Sequence, residues 1–140
     1  MRGHGQQGRA PAVVSDASED DGDVYVVAIR ETDAPDSWSL LFMACHDTED
    51  PQEISTGMDT YCLVAGPGQA TAYGGVRECE LRGRRLRLAL TEEAADSLGM
   101  PTDVSFALDL APRQVDLLSR GLARVLASGR ADAVPQLLRV

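Results

Sequence analysis

Cys45, His46 and Asp47 follow one another in the chain and have the side-chain types of a nucleophile, a base and its orienter. Their spacing works against that chemistry. They close an apolar run, residues 37–45, of strand composition, and adjacent strand residues point to opposite faces, so thiol and imidazole would not meet. His46 therefore reads as a strand-end or surface histidine. The other histidine, His4, lies in a polar, glycine-containing start. Histidine and cysteine nowhere cluster at ligand spacing, so no metal and no cofactor are expected.

A second candidate is the glycine-rich stretch from Gly66 to Gly75, GPGQATAYGG. A phosphate loop ends in Gly-Lys-Ser/Thr and runs into a helix. This chain has no lysine, and strand-like sequence follows the glycines. This stretch does not carry the dinucleotide fingerprint GxGxxG either. The glycines read as turn residues.

A third candidate is acidic. Asp47, Glu49, Asp50 and Glu53 fall in one loop, without the spacing of an EF-hand. They are candidates for a negatively charged docking surface; a solvated loop is the plain alternative. The charge distribution bears on this choice. Residues 1–70 carry 3 arginines and 13 carboxylates, whereas residues 71–140 carry 10 and 9. An acidic half repels nucleic acid and anionic lipid and steers basic partners toward itself. The chain is thus expected to bind neither nucleic acid nor membrane.

The three cysteines, Cys45, Cys62 and Cys79, form no CxxC pair. Each sits in or beside an apolar strand-like run, where free cysteine behaves as a small buried hydrophobe. A Cys62 nucleophile would make the chain an enzyme, but nothing at ligand or base spacing supports it. No apolar run approaches the ~20 residues of a spanning helix, and the N-terminus lacks the apolar region of a secretory signal. A cytoplasmic protein, monomeric or weakly dimeric, is expected.

The positioning elements follow from periodicity. Residues 15–23, SDASEDDGD, have too few apolar groups to hold a fold, so residues 1–22 are expected to be a flexible segment, with a short edge strand at 12–14. A single domain over 23–140 follows. Strands are predicted at 23–31 and 37–45, then an acidic loop with one helical turn. A strand at 61–65 bends at Gly66-Pro67-Gly68 and returns through ATAY, and Gly74-Gly75 allows a bulge or second bend.

Residues 76–90, VRECELRGRRLRLAL, read as a hairpin turning at Arg82-Gly83. Leu86, Leu88 and Leu90 face inward, and Glu78 and Glu80 lie near Arg85 and Arg87 outside. Thr91 caps a helix that stops at Gly99. Residues 104–110 form a strand. Pro112 opens a helix with the stripe Val115, Leu118, Leu122, Val125 and Leu126, ending at Gly129. A last turn, 132–138, packs on the body. Strands followed by helices give an α+β fold, mainly antiparallel sheet built from hairpins with two main helices packed on it.

The run from Gly57 to Pro101 resembles the Immunity protein 10 family of bacterial polymorphic toxin systems. The resemblance rests on Thr60-Tyr61-Cys62, on Tyr73-Gly74-Gly75-Val76, on Leu81, Gly83, Leu86 and Leu88 of the hairpin, and on T-x-x-A-A-x-x-L-G from Thr91 to Gly99. It extends over about residues 23–127 and leaves the first 20 residues outside. It implies a non-catalytic protein that binds a cognate toxin domain and neutralises it. On this reading Thr60, Tyr61, Cys62, Tyr73, Gly74 and Gly75 build the sheet. The acidic loop contacts the toxin, and the acidic charge favours a basic one. Two other classes stay open: a small acidic interaction or regulatory module unrelated to toxins, and a minor enzyme using Cys62 or the acidic loop.

Overall fold

Short runs rich in Val, Ile, Leu and Tyr, separated by turn residues, divide the chain into strands. The computed structural model describes residues 10–34, 36–44, 60–128 and 134–140. Among these the chain forms β1 (Val13–Val14), β2 (Asp16–Asp21), β3 (Tyr25–Arg30), β4 (Ser39–Met43), β5 (Cys62–Gly66) and β6 (Ala70–Tyr73). There follow β7 (Val76–Arg82), β8 (Arg85–Leu90), α1 (Glu92–Leu98), β9 (Asp103–Leu108), α2 (Pro112–Leu126) and β10 (Leu137–Arg139).

The fold is α+β, as expected, with two five-stranded sheets. One is an antiparallel meander in the order β2-β3-β4-β5-β6. The other runs β1-β9-β8-β7-β10. Its centre is antiparallel, and its two edge strands, β1 and β10, lie parallel to their neighbours. A continuous apolar core draws Val27, Phe42 and Leu63 from the meander, Leu86, Leu88 and Phe106 from the second sheet, and residues of both helices.

Two segments depart from the sequence reading. Residues 16–21, read as too polar to fold, form edge strand β2. Its only apolar residue, Ala17, is buried, and non-local partners supply the rest. Tyr25 Oη donates to Glu19 at 2.8 Å, and Arg124 of α2 pairs with Asp21 at 3.5 Å while lying over the Tyr25 ring. Gln114 of α2 donates from Nε2 to the Ala17 carbonyl and accepts from the Ala111 N–H. Residues 137–139, read as part of a turn, form strand β10 beside β7.

The hairpin β7–β8 keeps its predicted faces, with the turn at Gly83-Arg84 and a register irregularity between Val76 and Glu78. Its outer charges meet the expectation in part, through Arg87. Arg87 reaches Glu78 at 2.9 Å and Asp103 of β9 at 3.2 Å, whereas Glu80 takes Arg82 at 3.0 Å. Arg85 stands opposite Arg82. The predicted end of α2 at Gly129 lies outside the described residues.

Helix α1 is capped as predicted. Thr91 Oγ1 accepts from the Ala94 N–H at 3.1 Å, and Gly99, in the left-handed region at φ 67°, donates back to Ala95 and Asp96. Thr91→Ala removes the N-cap acceptor and is expected to cost about 1 kcal/mol. Urea unfolding measures it; an unchanged midpoint would contradict the cap's role.

Candidate functional site: the joint between the sheets and the open face of the meander

Several of the motif residues converge on one joint. Tyr61, at the entry to β5, is fully buried, and its phenol oxygen accepts from the backbone N–H of Val76 at 2.9 Å. A side chain at the edge of the meander thus holds the first residue of β7, in the second sheet. The Tyr61 carbonyl accepts from Gly74 N at 2.8 Å and from Thr60 Oγ1 at 3.0 Å. The Gly75 carbonyl accepts from Thr91 N, the N-cap of α1, at 2.9 Å.

Gly74 and Gly75 take positive φ, 71° and 95°. A Cβ on Gly75 would stand 2.4 Å from the Ala94 Cβ. The pairs of short residues in the two motifs, Gly74-Gly75 and Ala94-Ala95, therefore lie where α1 meets the chain as it crosses between sheets. Tyr61, Gly74 and Gly75 are thus parts of this joint.

Cys62 and Tyr73 belong to the same motifs and lie elsewhere. They are register partners on β5 and β6, on the side of the meander opposite Leu63 and Ala72, which join the core. Cys62 is half-buried and Tyr73 is 49% exposed. Burial pushes the Cys62 thiol upward, so the thiolate needed for nucleophilic attack is disfavoured. Cys79 is the small buried hydrophobe expected, its thiol pushed up to about 12 by burial.

Both histidines lie outside the described residues, as do Cys45 and the acidic residues Asp47, Glu49, Asp50 and Glu53. Among the described residues no three His, Cys, Asp or Glu side chains gather as a metal site.

Among the described residues the acidic excess lies mainly on one sheet. Between residues 10 and 44, eight described carboxylates stand against one arginine, Arg30, and all of them fall in or beside β2, β3 and β4 of the meander and its turns. Residues 76–108, in the other sheet and α1, carry five arginines and six carboxylates. The run DASEDD carried this signal in the sequence, though not its position along the sheet edge.

No curated protein and no solved structure matches the chain significantly. The family model of Immunity protein 10 matches residues 9–116. The match begins well before residue 23 and takes in β1 and β2, correcting the expectation that the first 20 residues stand outside the resemblance. The joint at Tyr61, Gly75 and Thr91 lies within it, and on that match the chain belongs to the Immunity protein 10 family.

Proposed function

We propose that this protein is a cytoplasmic immunity protein that binds a cognate toxin domain and neutralises it without catalysis. The observation that carries the reading is the family match across most of the chain. One feature agrees with it: among the described residues the acidic charge is concentrated on one sheet and its turns, as a binder of a basic domain would have it.

Co-expression with a toxin domain encoded beside the chain tests the reading. Cells carrying both survive, and the two proteins co-purify. Opposite charges steer encounter, so association is expected to slow by about tenfold or more between low salt and ~0.5 M salt, with little change in dissociation. Survival with an association rate indifferent to salt would remove the electrostatic element. Cell death despite good expression, with no co-purification, would favour an acidic interaction module unrelated to toxins.

A further inference from the structure

The meander has two faces of different character. Its inner face carries Val27, Phe42, Leu63 and Ala72 into the core, and α2 lies close against Val27 and Tyr25 on that side. The register places Asp20, Val26, Met43, Cys62 and Tyr73 in one row across the five strands of the outer face. The next row runs Ser18, Ala28, Leu41, Val64 and Thr71. Val26, Leu41, Met43, Cys62 and Val64 are half-buried, Ala28 is buried and Tyr73 is half-exposed, and Val26, Leu41, Met43 and Val64 stand apart from the core cluster.

An antiparallel sheet with one solvated face ordinarily alternates apolar and polar residues. Here β4 and β5 are apolar on both faces. A contiguous apolar patch with a polar border is the usual mark of a protein interface, and tyrosine is enriched among residues that dominate binding energy. One border is mainly acidic: Asp16 and Asp20 stand on the outer side of edge strand β2, Asp16 opposite Arg30 of β3, and Asp33 and Asp36 sit in the β3–β4 turn.

We infer that this outer face is where the toxin docks, through an apolar patch of its own edged by lysine and arginine. The inference rests on the toxin-binding reading and gives it a surface. The chemistry of the face selects this occupant. A second copy would bring the same acidic border against this one. The chain's own residues 45–59 include five carboxylates and only two large apolar side chains, Ile54 and Met58, a poor match to an apolar face with an acidic edge. Motif residues Cys62 and Tyr73 thereby serve contact, while Tyr61, Gly74 and Gly75 serve the joint.

The test measures affinity of the full chain for the toxin domain encoded beside it, carrying an inactivating substitution. Tyr73→Ala removes an exposed ring and leaves the core untouched. Val64→Asp adds negative charge, so weaker binding from it cannot reflect lost attraction to a basic toxin. Each is expected to weaken binding by about 30-fold or more, the factor that corresponds to a dominant contact. Ser105→Asp, exposed on β9 of the other sheet, stays within about threefold.

Native affinity in both Tyr73→Ala and Val64→Asp overturns the inference while leaving toxin binding intact. So does retained affinity in Tyr73→Ala with binding lost when Asp47, Glu49, Asp50 and Glu53 become amides, which moves the contact to that segment. A native dimer that Val64→Asp splits assigns the face to a second copy. In the free chain, an open face limits the effect of Val64→Asp to several degrees in Tm, whereas a loss above about 15 °C means the chain itself covers the face. Either result overturns the inference. Failure of the unaltered chain to bind overturns the functional reading itself.

Discussion

Gly75→Ala is expected to destabilise the protein by about 3 kcal/mol or more, the combined effect of an unfavourable φ and of overpacking against a helix. Gly75 has φ 95°, and its new Cβ would stand 2.4 Å from the Ala94 Cβ. Neither atom is the end of a flexible side chain, so relief requires α1 to withdraw or the backbone to move. Withdrawal strains the bond from Thr91 N to the Gly75 carbonyl, and with it the cap that Thr91 gives to Ala94.

Gly68→Ala is the matched control, since a Cβ there meets nothing within 4 Å, and it is expected to change stability by less than about 0.5 kcal/mol. Adding Ala94→Gly to Gly75→Ala removes the clash but not the φ strain, so it recovers part of the loss. Denaturant unfolding of the four proteins reads this out. A loss below about 1 kcal/mol for Gly75→Ala would show that α1 is not pressed against the glycine.

The second large effect lies at Tyr61. Tyr61→Phe leaves the Val76 N–H without its phenol acceptor in a buried place and is expected to cost about 1–3 kcal/mol. Tyr61→Ala also empties the volume of the largest fully buried side chain and is expected to cost about 3–5 kcal/mol.

Alkaline pH gives an independent reading of the same group. Burial pushes the Tyr61 phenol from 10.0 up to about 12, with the Val76 N–H acting the other way. A group whose folded pKa is raised contributes stability that is complete below its unfolded pKa and is lost as pH rises through the folded one. Stability therefore falls from about pH 10 toward pH 12. Tyr25, also pushed to about 12 by burial and by its bond to Glu19, contributes to the same fall. The Tyr61→Phe protein keeps only part of that slope. Equal slopes in the two proteins would contradict burial of the Tyr61 phenol.

Local periodicity disclosed most of the frame. The hairpin at 76–90, the Thr91 cap, the Gly99 stop and the apolar stripe of α2 depend on residues close in sequence, and all are present. What escaped depends on distant partners. Strand β2 has a single buried side chain, and Tyr25, Gln114 and Arg124 help hold it through contacts that no pattern in DASEDD announces. Strand β10 acquires its form from lying beside β7.

The motif was legible as a set of turn and sheet residues, and its division between the joint and the outer side of the meander was not. Tyr61 and Val76 are 15 residues apart and meet only because the chain crosses between sheets there. Alternation places Cys62 and Tyr73 opposite Leu63 and Ala72, but which side the helices cover is decided by tertiary packing, through the close approach of Gly121 on α2 to Val27. The charge asymmetry was visible in the sequence. Its assignment to one sheet required the topology.

The central claim, neutralisation by binding and not by turnover, is tested most directly by titrating a fixed amount of active toxin with the purified chain and following the toxin's own activity. Binding predicts a linear fall that reaches completion near one molecule of chain per toxin and returns when the complex is separated. Inactivation by much less than one equivalent, persisting after the chain is removed, would mean that the chain acts as an enzyme on the toxin; undiminished toxin activity at a large excess of chain would contradict the account altogether.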